Sequence, residues 1–331
     1  MNQTPAEYQG LAEAALAQYP LREVTTRFLG HSDNLTFRVE EPGGATYLLR
    51  IHKPVMNFLY GLRQLPEAIA AELAWMEALA WEGGFTLQQP VHTRTNERVG
   101  SLSMNGETVP CTLLTWLEGM HFSPSMPDAV DIVRQYGTLV ARMHEFSTHW
   151  SPPPGFLRPS YDEMHFRRVF GRFSRGVDHE VYSEVVYRQL HSIGQAIMDE
   201  IEQLPSDPQH WGVAHNDLHV GNFLVNDGKV IPIDFSFCGF AHYLFDLSVC
   251  LAGGLKPDLR PVMLEGYRSI RPLPEENLRP LEAYALAGRM SYYAYQIDNP
   301  TERSWLQRRL PLFIENEGAR FLAGERLLMD L

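Results

Sequence analysis

Between positions 215 and 235 the chain reads HNDLHVGNFLVNDGKVIPIDF, and its polar residues are spaced for chemistry on oxygen. FLV and KVIPI are short runs of strand formers. The Asp227–Gly228 pair between them is a tight-turn signal, because such turns need positive φ. Folding there sets Asn222, just before the first strand, opposite Asp234, just after the second. Facing residues of antiparallel strands lie about 5 Å apart at Cβ, so one cation could take an oxygen from each. Asp217 enters from the preceding loop as a further carboxylate. Pro232 inside the second strand predicts an edge without a hydrogen-bonded neighbour. The same stretch also allows His215, Asp217 and His219 as metal ligands of a hydrolase, although no other histidine cluster completes such a site.

The elements that must position these residues fall into two groups. Residues 6–18 read as a helix. VTTRFLG, LTFRVE and TYLLRIH then read as strands, with the turn EPGG between the last two. A helix follows from Pro66, a residue favoured at the first helical position. VHTRTNERVGSL and TVPCTLLTWLEG read as further strands. After Gly119 the character turns helical, over 128–146, roughly 162–203, and several segments from 258 onward. The expected organisation is a β-rich region over 1–114 and a larger helical region over 115–331.

One helical position breaks the pattern of its own face. From Pro66 onward Ile69, Leu73, Met76 and Ala80 form the apolar stripe, and Glu72 falls inside it by the i, i+3, i+4, i+7 spacing. An inward carboxylate is costly unless paired. The nearest plausible cation is Arg50 in YLLRIH, on the same strand face as Leu48.

His215-x-Asp217-Leu218-x-x-x-Asn222 has the spacing of a protein-kinase catalytic loop, and Asp234-Phe235 matches the start of the metal-binding Asp-Phe-Gly element, with Ser236 in the glycine place. With the later LFDLS around Asp246, the chain resembles the aminoglycoside phosphotransferase and choline kinase superfamily over most of its length. In look it is similar to the branch of type II homoserine kinases and stress-response kinases. The resemblance implies an α+β, protein-kinase-like bilobal fold: a small antiparallel β-sheet N-lobe and a larger, mainly helical C-lobe. It implies ATP and Mg2+ as cofactors, Asp217 as catalytic base, and Asn222 and Asp234 as metal ligands. Leu48 would line the adenine site. Arg50 would take the phosphate-contacting place usually held by lysine and pair with Glu72, a departure because its fork is planar. Ser32 and Asn34 in LGHSDNLTF would meet the phosphates, and the backbone of Thr115 and Leu117 would face adenine. Asp246 would brace the catalytic loop.

Composition narrows the partners. A formal charge of −12 argues against nonspecific nucleic-acid binding, which needs clustered cations, and mildly favours a cationic substrate. No apolar run is long enough to span a membrane, no secretory signal opens the chain, and three scattered cysteines suggest no disulfide framework. A cytoplasmic enzyme acting on a small-molecule hydroxyl is expected; composition says nothing of its oligomeric state. Tyr284, Tyr292, Tyr293 and Tyr295 could hold an ammonium group, while Arg167, Arg168, Arg172 and Arg175 would attract an anion. A Ser/Thr protein kinase and a nucleotide-binding pseudokinase are the alternative functions.

Overall fold

The structure, a computed structural model, describes residues 6–32, 34–53, 61–104 and 106–328. By its internal contacts the chain forms two compact units, residues 1–119 with 152–159, and residues 120–151 with 160–331. The linear reading divides the chain slightly earlier, at 114, and does not anticipate the return of 152–159 to the first unit.

The first unit holds helix α1 (Ala6–Leu16), strands β1 (Thr25–His31), β2 (Leu35–Glu40) and β3 (Thr46–Ile51), helix α2 (Pro66–Trp81), and strands β4 (Pro90–Val91), β5 (Gly100–Met104) and β6 (Glu107–Thr115). The antiparallel sheet runs β1-β2-β3-β6-β4, with β5 also paired to β6. Strict alternation in β2 sends Leu35, Phe37 and Val39 into a core completed by Leu49, Ile51, Leu113 and Tyr19. The other face of β3 carries Leu48 and Arg50. Helix α2 buries a broader face than the single stripe, taking in Trp75 and Leu79, while Ala80 is half-buried. The segment 91–102 is not one strand. Asn96 adopts φ 65° in a turn closed by Thr93 and Glu97, and this turn separates β4 from β5.

The second unit contains β7 (Met120–His121), α3 (Ala129–His149), α4 (Glu163–Gly171), α5 (Ser174–Asp178), α6 (Glu184–Ile201), β8 (Trp211–Ala214), β9 (Phe223–Asn226), β10 (Lys229–Pro232), β11 (Gly239–His242), and helices α7 (Tyr243–Ala252), α8 (Arg260–Arg268), α9 (Leu278–Gln296), α10 (Arg303–Phe313) and α11 (Ala319–Leu322). The stretch 162–203 divides into three helices. Asp162 caps α4 by accepting from the His165 amide, Ser183 caps α6 by accepting from Val186, and Glu180 between them adopts φ 54°.

Two small sheets frame the polar loop. One runs β10-β9-β7, which leaves Pro232 on an edge as its missing donor requires. The other, β11-β8, pairs Ala214 with Gly239. Helices α3 and α8 cross with backbones nearly touching: a Cβ on Gly137 would sit 2.0 Å from the Met263 carbonyl oxygen, and one on Gly266 2.0 Å from that of Arg134. Among the described residues no helix is long and apolar enough to cross a membrane, and Cys111, Cys238 and Cys250 are buried free thiols.

Candidate active site

In the second unit the loop from His215 to Gly221 leaves β8 and enters β9. Its first turn is fixed by Asn216, whose left-handed backbone (φ 62°) lets its amide donate to Asp246 Oδ1 at 2.6 Å. The Asn216 side chain donates to the carbonyls of Ala214 and Gly239, both at 3.1 Å, tying the loop to both strands of the small sheet. Asp246, 1% exposed in α7, also accepts from His144 Nε2 at 2.8 Å, and His144 Nδ1 meets the Tyr267 hydroxyl at 3.0 Å. Burial holds His144 below its ordinary range although Asp246 pulls it up. Burial pulls Asp246 up, but the bonds from His144 and the Asn216 amide outweigh it and leave the carboxyl below the usual range. The pair is therefore a neutral imidazole donating to a carboxylate. Tyr136 of α3 adds a hydroxyl donor to the Leu218 carbonyl.

Within this frame Asp217 and Asn222 meet. Asn222 Nδ2 donates to Asp217 Oδ2 and to the Asp217 carbonyl, each at 2.9 Å. The loop is closed further by His219 N–H to the Asp217 carbonyl (2.8 Å) and Asn222 N–H to the His219 carbonyl (2.8 Å). His219 Nδ1 accepts from the Gly221 amide at 3.0 Å, so this ring braces the loop. His215 lies fully buried against Phe235, and its Nε2 donates to the Ile233 carbonyl at 3.1 Å; burial keeps the ring neutral. Among the described residues no three His, Cys, Asp or Glu side chains cluster as metal ligands, which removes the hydrolase arrangement of His215, Asp217 and His219.

The register corrects one expectation. Asn222 faces Ile233, whose amide donates to the Asn222 carbonyl at 2.9 Å; it does not face Asp234. A two-residue turn at Asp227–Gly228 pairs Asn226 with Lys229 and Phe223 with Pro232, so Asp234 falls one residue past the partner of Asn222. Its left-handed backbone, φ 61° and ψ 73°, then redirects the chain. The Asp234 side chain is exposed, and its Oδ1 accepts from Ser236 Oγ at 2.6 Å. Because Asn222 Nδ2 turns to Asp217, Asn222 Oδ1 faces away, and no described residue bonds to it. An amide oxygen and an exposed carboxylate are donors of the kind that Mg2+ prefers.

In the first unit Arg50 and Glu72 meet as their inward spacing requires. Arg50 Nη1 lies 2.9 Å from Glu72 Oε1, with the residues 5% and 2% exposed. Arg50 Nε donates to Thr112 Oγ1 at 3.2 Å, while Nη2 is buried without a hydrogen-bond partner. Leu48 is half-buried on the same strand face. Ser32 is exposed and Asn34 half-buried in the β1–β2 turn, and Asp33 of that turn lies outside the described residues. Thr115 already has both backbone groups engaged, its amide to the Gln89 carbonyl (2.8 Å) and its carbonyl to Gln88 Nε2 (3.3 Å). The Leu117 backbone has no partner among the described residues, so the free edge begins there.

The substrate hints lose most of their content. Arg167 pairs with Glu163 and Glu202, and Arg172 and Arg175 both pair with Asp298, at 2.7 and 2.9 Å. Tyr284 and Tyr293 are buried core residues, and the Arg172 guanidinium lies 5.3 Å from the Tyr295 ring centroid. Sequence reading missed His144, whose signal was a histidine on the buried stripe of α3. It also missed Arg158, which is 5% exposed in a loop between prolines and carries no periodic signal.

Comparison with known proteins covers most of the chain. The phosphotransferase enzyme family model covers residues 24–290. Amicoumacin kinase of Bacillus subtilis is 25% identical over 74% of this chain and 67% of its own length, and a homoserine kinase of Agrobacterium fabrum is 27% identical over 75% of each. The structure is similar to a microcompartment-associated aminopropanol kinase, with TM-score 0.79, 23% identity, and coverage of 97% of this chain and 99% of that one. It is also similar to an amicoumacin kinase in complex with AMP-PNP, Ca2+ and Ami, with TM-score 0.75, 20% identity, and coverage of 95% and 94%. The sheet-bearing first unit and mainly helical second unit are thus those of the kinase-like fold, and the chain belongs to the phosphotransferase enzyme family.

Proposed function

We propose that this enzyme transfers the γ-phosphoryl group of ATP to a hydroxyl of a small amine-bearing molecule, such as an amino alcohol, a hydroxy amino acid or an aminoglycoside-like antibiotic. The observation that carries the reading is the bond from Asn222 Nδ2 to Asp217 Oδ2. It orients a carboxylate on a loop that Asp246 holds by its backbone. Phosphoryl transfer asks for such positioning and for charge neutralisation more than for covalent catalysis.

In this reading Asp217 orients the acceptor hydroxyl and takes its proton. Asn222 Oδ1 and Asp234 would hold Mg2+, which when bound neutralises charge on the phosphates. Arg50 donates to a phosphate oxygen through Nη2, the N–H that the protein leaves without a partner. Leu48 lies against adenine, the Leu117 backbone pairs with its edge, and Ser32 and Asn34 in the β1–β2 turn donate to the phosphates. Thr115 contributes through its side of the strand and not through its backbone groups, which are engaged.

Charge and kinship support the amine. The chain carries a formal charge of −12, and three of the four arginines that could have drawn an anion, Arg167, Arg172 and Arg175, are paired with its own carboxylates, while Arg168 stays exposed. The similar proteins include kinases of aminopropanol and homoserine. The test is acceptor-dependent ADP release from MgATP over a panel of amino alcohols, homoserine, choline, amicoumacin and aminoglycosides, with protein acceptors followed by radiolabel. Saturable turnover with one small amine is the expected result. Label transfer to protein alone would overturn the reading.

A further inference from the structure

Glu72 is held from two sides. Arg50 reaches Oε1 from strand β3, and Arg158 lies on the other side, with its Nη1 3.9 Å from Oε2. The same Nη1 donates to the Ala68 carbonyl at 3.0 Å, in the first turn of α2. The Arg158 side chain is 0% exposed. Its backbone belongs to the segment 152–159, which returns to the first unit after α3 and is stiffened by Pro152, Pro153, Pro154 and Pro159. His52 shares the neighbourhood. Burial, and then the charges of Arg50 and Arg158, hold it well below its ordinary range, so it is neutral, and its Nε2 lies 3.1 Å from the Thr112 Oγ1 that also meets Arg50.

A carboxylate with one cation can swing with it. A carboxylate fixed also from its far side, by a guanidinium anchored to its own helix, is a rigid seat for Arg50. Arg50 then uses Nη1 on Glu72 and Nε on Thr112, and only Nη2 remains to be aimed. We propose that Arg158 is a positioning residue of the nucleotide site: it fixes Glu72 and the first turn of α2 so that Arg50 presents Nη2 to the nucleotide phosphate. The inference rests on the phosphotransferase reading for the identity of that phosphate.

The experiment measures binding of AMP-PNP with Mg2+, and of adenosine, to the full-length chain by calorimetry. Adenosine reports the adenine contacts without the phosphates, so the ratio of the two affinities moves only if phosphate contact is altered. Arg158→Gln should weaken AMP-PNP about tenfold, the scale of one charge-assisted hydrogen bond, and leave adenosine within about twofold. Arg158→Lys, which keeps one charged donor, should lose only about two- to threefold for AMP-PNP. If Arg158→Gln does not fold, Arg158→Lys decides alone by the same ratio. An unchanged AMP-PNP affinity, or a parallel loss for both ligands, overturns the positioning role while leaving the phosphotransferase reading intact. A wild-type chain that binds neither ligand overturns that reading and this inference together.

Discussion

The Asn222 amide lies 2.9 Å from Asp217 Oδ2, so the expected metal ligand and the expected base are one hydrogen-bonded unit. Truncating Asn222 must therefore free Asp217, whereas a change at Asp217 that keeps an acceptor oxygen can leave Asn222 in place. This coupling shapes what substitution should do.

Asp217→Asn should lower turnover by about 10²–10⁴-fold, the usual worth of a general base, while Mg·AMP-PNP binding stays nearly constant. In the proposed role Asp217 acts on the acceptor and not on the nucleotide. Steady-state kinetics with calorimetry on the same preparation checks this, and near-normal turnover would falsify the role.

Asn222→Asp and Asn222→Ala should differ in kind. The aspartate places a second carboxylate against Asp217, and like charges raise a carboxyl pKa, so the acid limb of kcat/KM should move up by about a unit or more. The alanine removes both the proposed oxygen ligand and the Asp217 restraint, so both kcat and nucleotide affinity should fall. Asp234→Ala should abolish productive Mg·AMP-PNP binding. An acid limb in Asn222→Asp that coincides with wild type would separate the two residues.

Arg50→Ala removes one partner of a pair buried to 5% and 2%, a change that costs about 3–5 kcal/mol for a buried charge left with no partner and less here, because Arg158 Nη1 stays 3.9 Å from Glu72 Oε2. Arg50→Ala with Glu72→Gln should recover most of that stability without recovering activity. Arg50→Lys should keep measurable turnover. Urea denaturation across the four-variant cycle reads the coupling, and additive losses would deny the contact.

Stability should fall as pH drops from about 7 to 5. Burial holds His52, His144, His215 and His242 below their ordinary range, His242 down to about 3. Each binds a proton more readily in the unfolded chain. The unfolded state therefore holds more protons below about pH 6.5, and stability rises with pH through that window. Each histidine contributes up to about 1.4 kcal/mol per pH unit. Asp246 adds nothing there, because its lowered carboxyl contributes only near and below its ordinary range. Urea midpoints at pH 7.5 and 5.5 should differ clearly; equal midpoints would mean that these rings are solvated.

The sequence by itself determined the hairpin, the spacing of Asp217, Asn222 and Asp234, and the inward Glu72 with Arg50 as its partner. These are local or periodic features. A turn dipeptide, strand alternation and helical spacing are written in consecutive residues, so their geometry follows without knowledge of the rest of the chain. Even so, the facing of Asn222 and Asp234 slipped by one residue, because turn length fixes register and the left-handed Asp234 ends the ladder. Only tertiary structure decided the remaining parts. The β8–β11 pair is two four-residue runs joined across the hairpin. His144 reaches Asp246 across 102 positions, and Arg158 reaches Ala68 across 90. Such contacts depend on how packed elements approach; the touching backbones of α3 and α8 at Gly137 and Gly266, for example, accompany the contact of His144 with Tyr267. No pattern along the chain encodes a distance between helices that are remote in sequence, whereas burial of an unpaired charge forces a partner to exist somewhere. The need for a cation at Glu72 was therefore legible, and the second guanidinium on its far side was not.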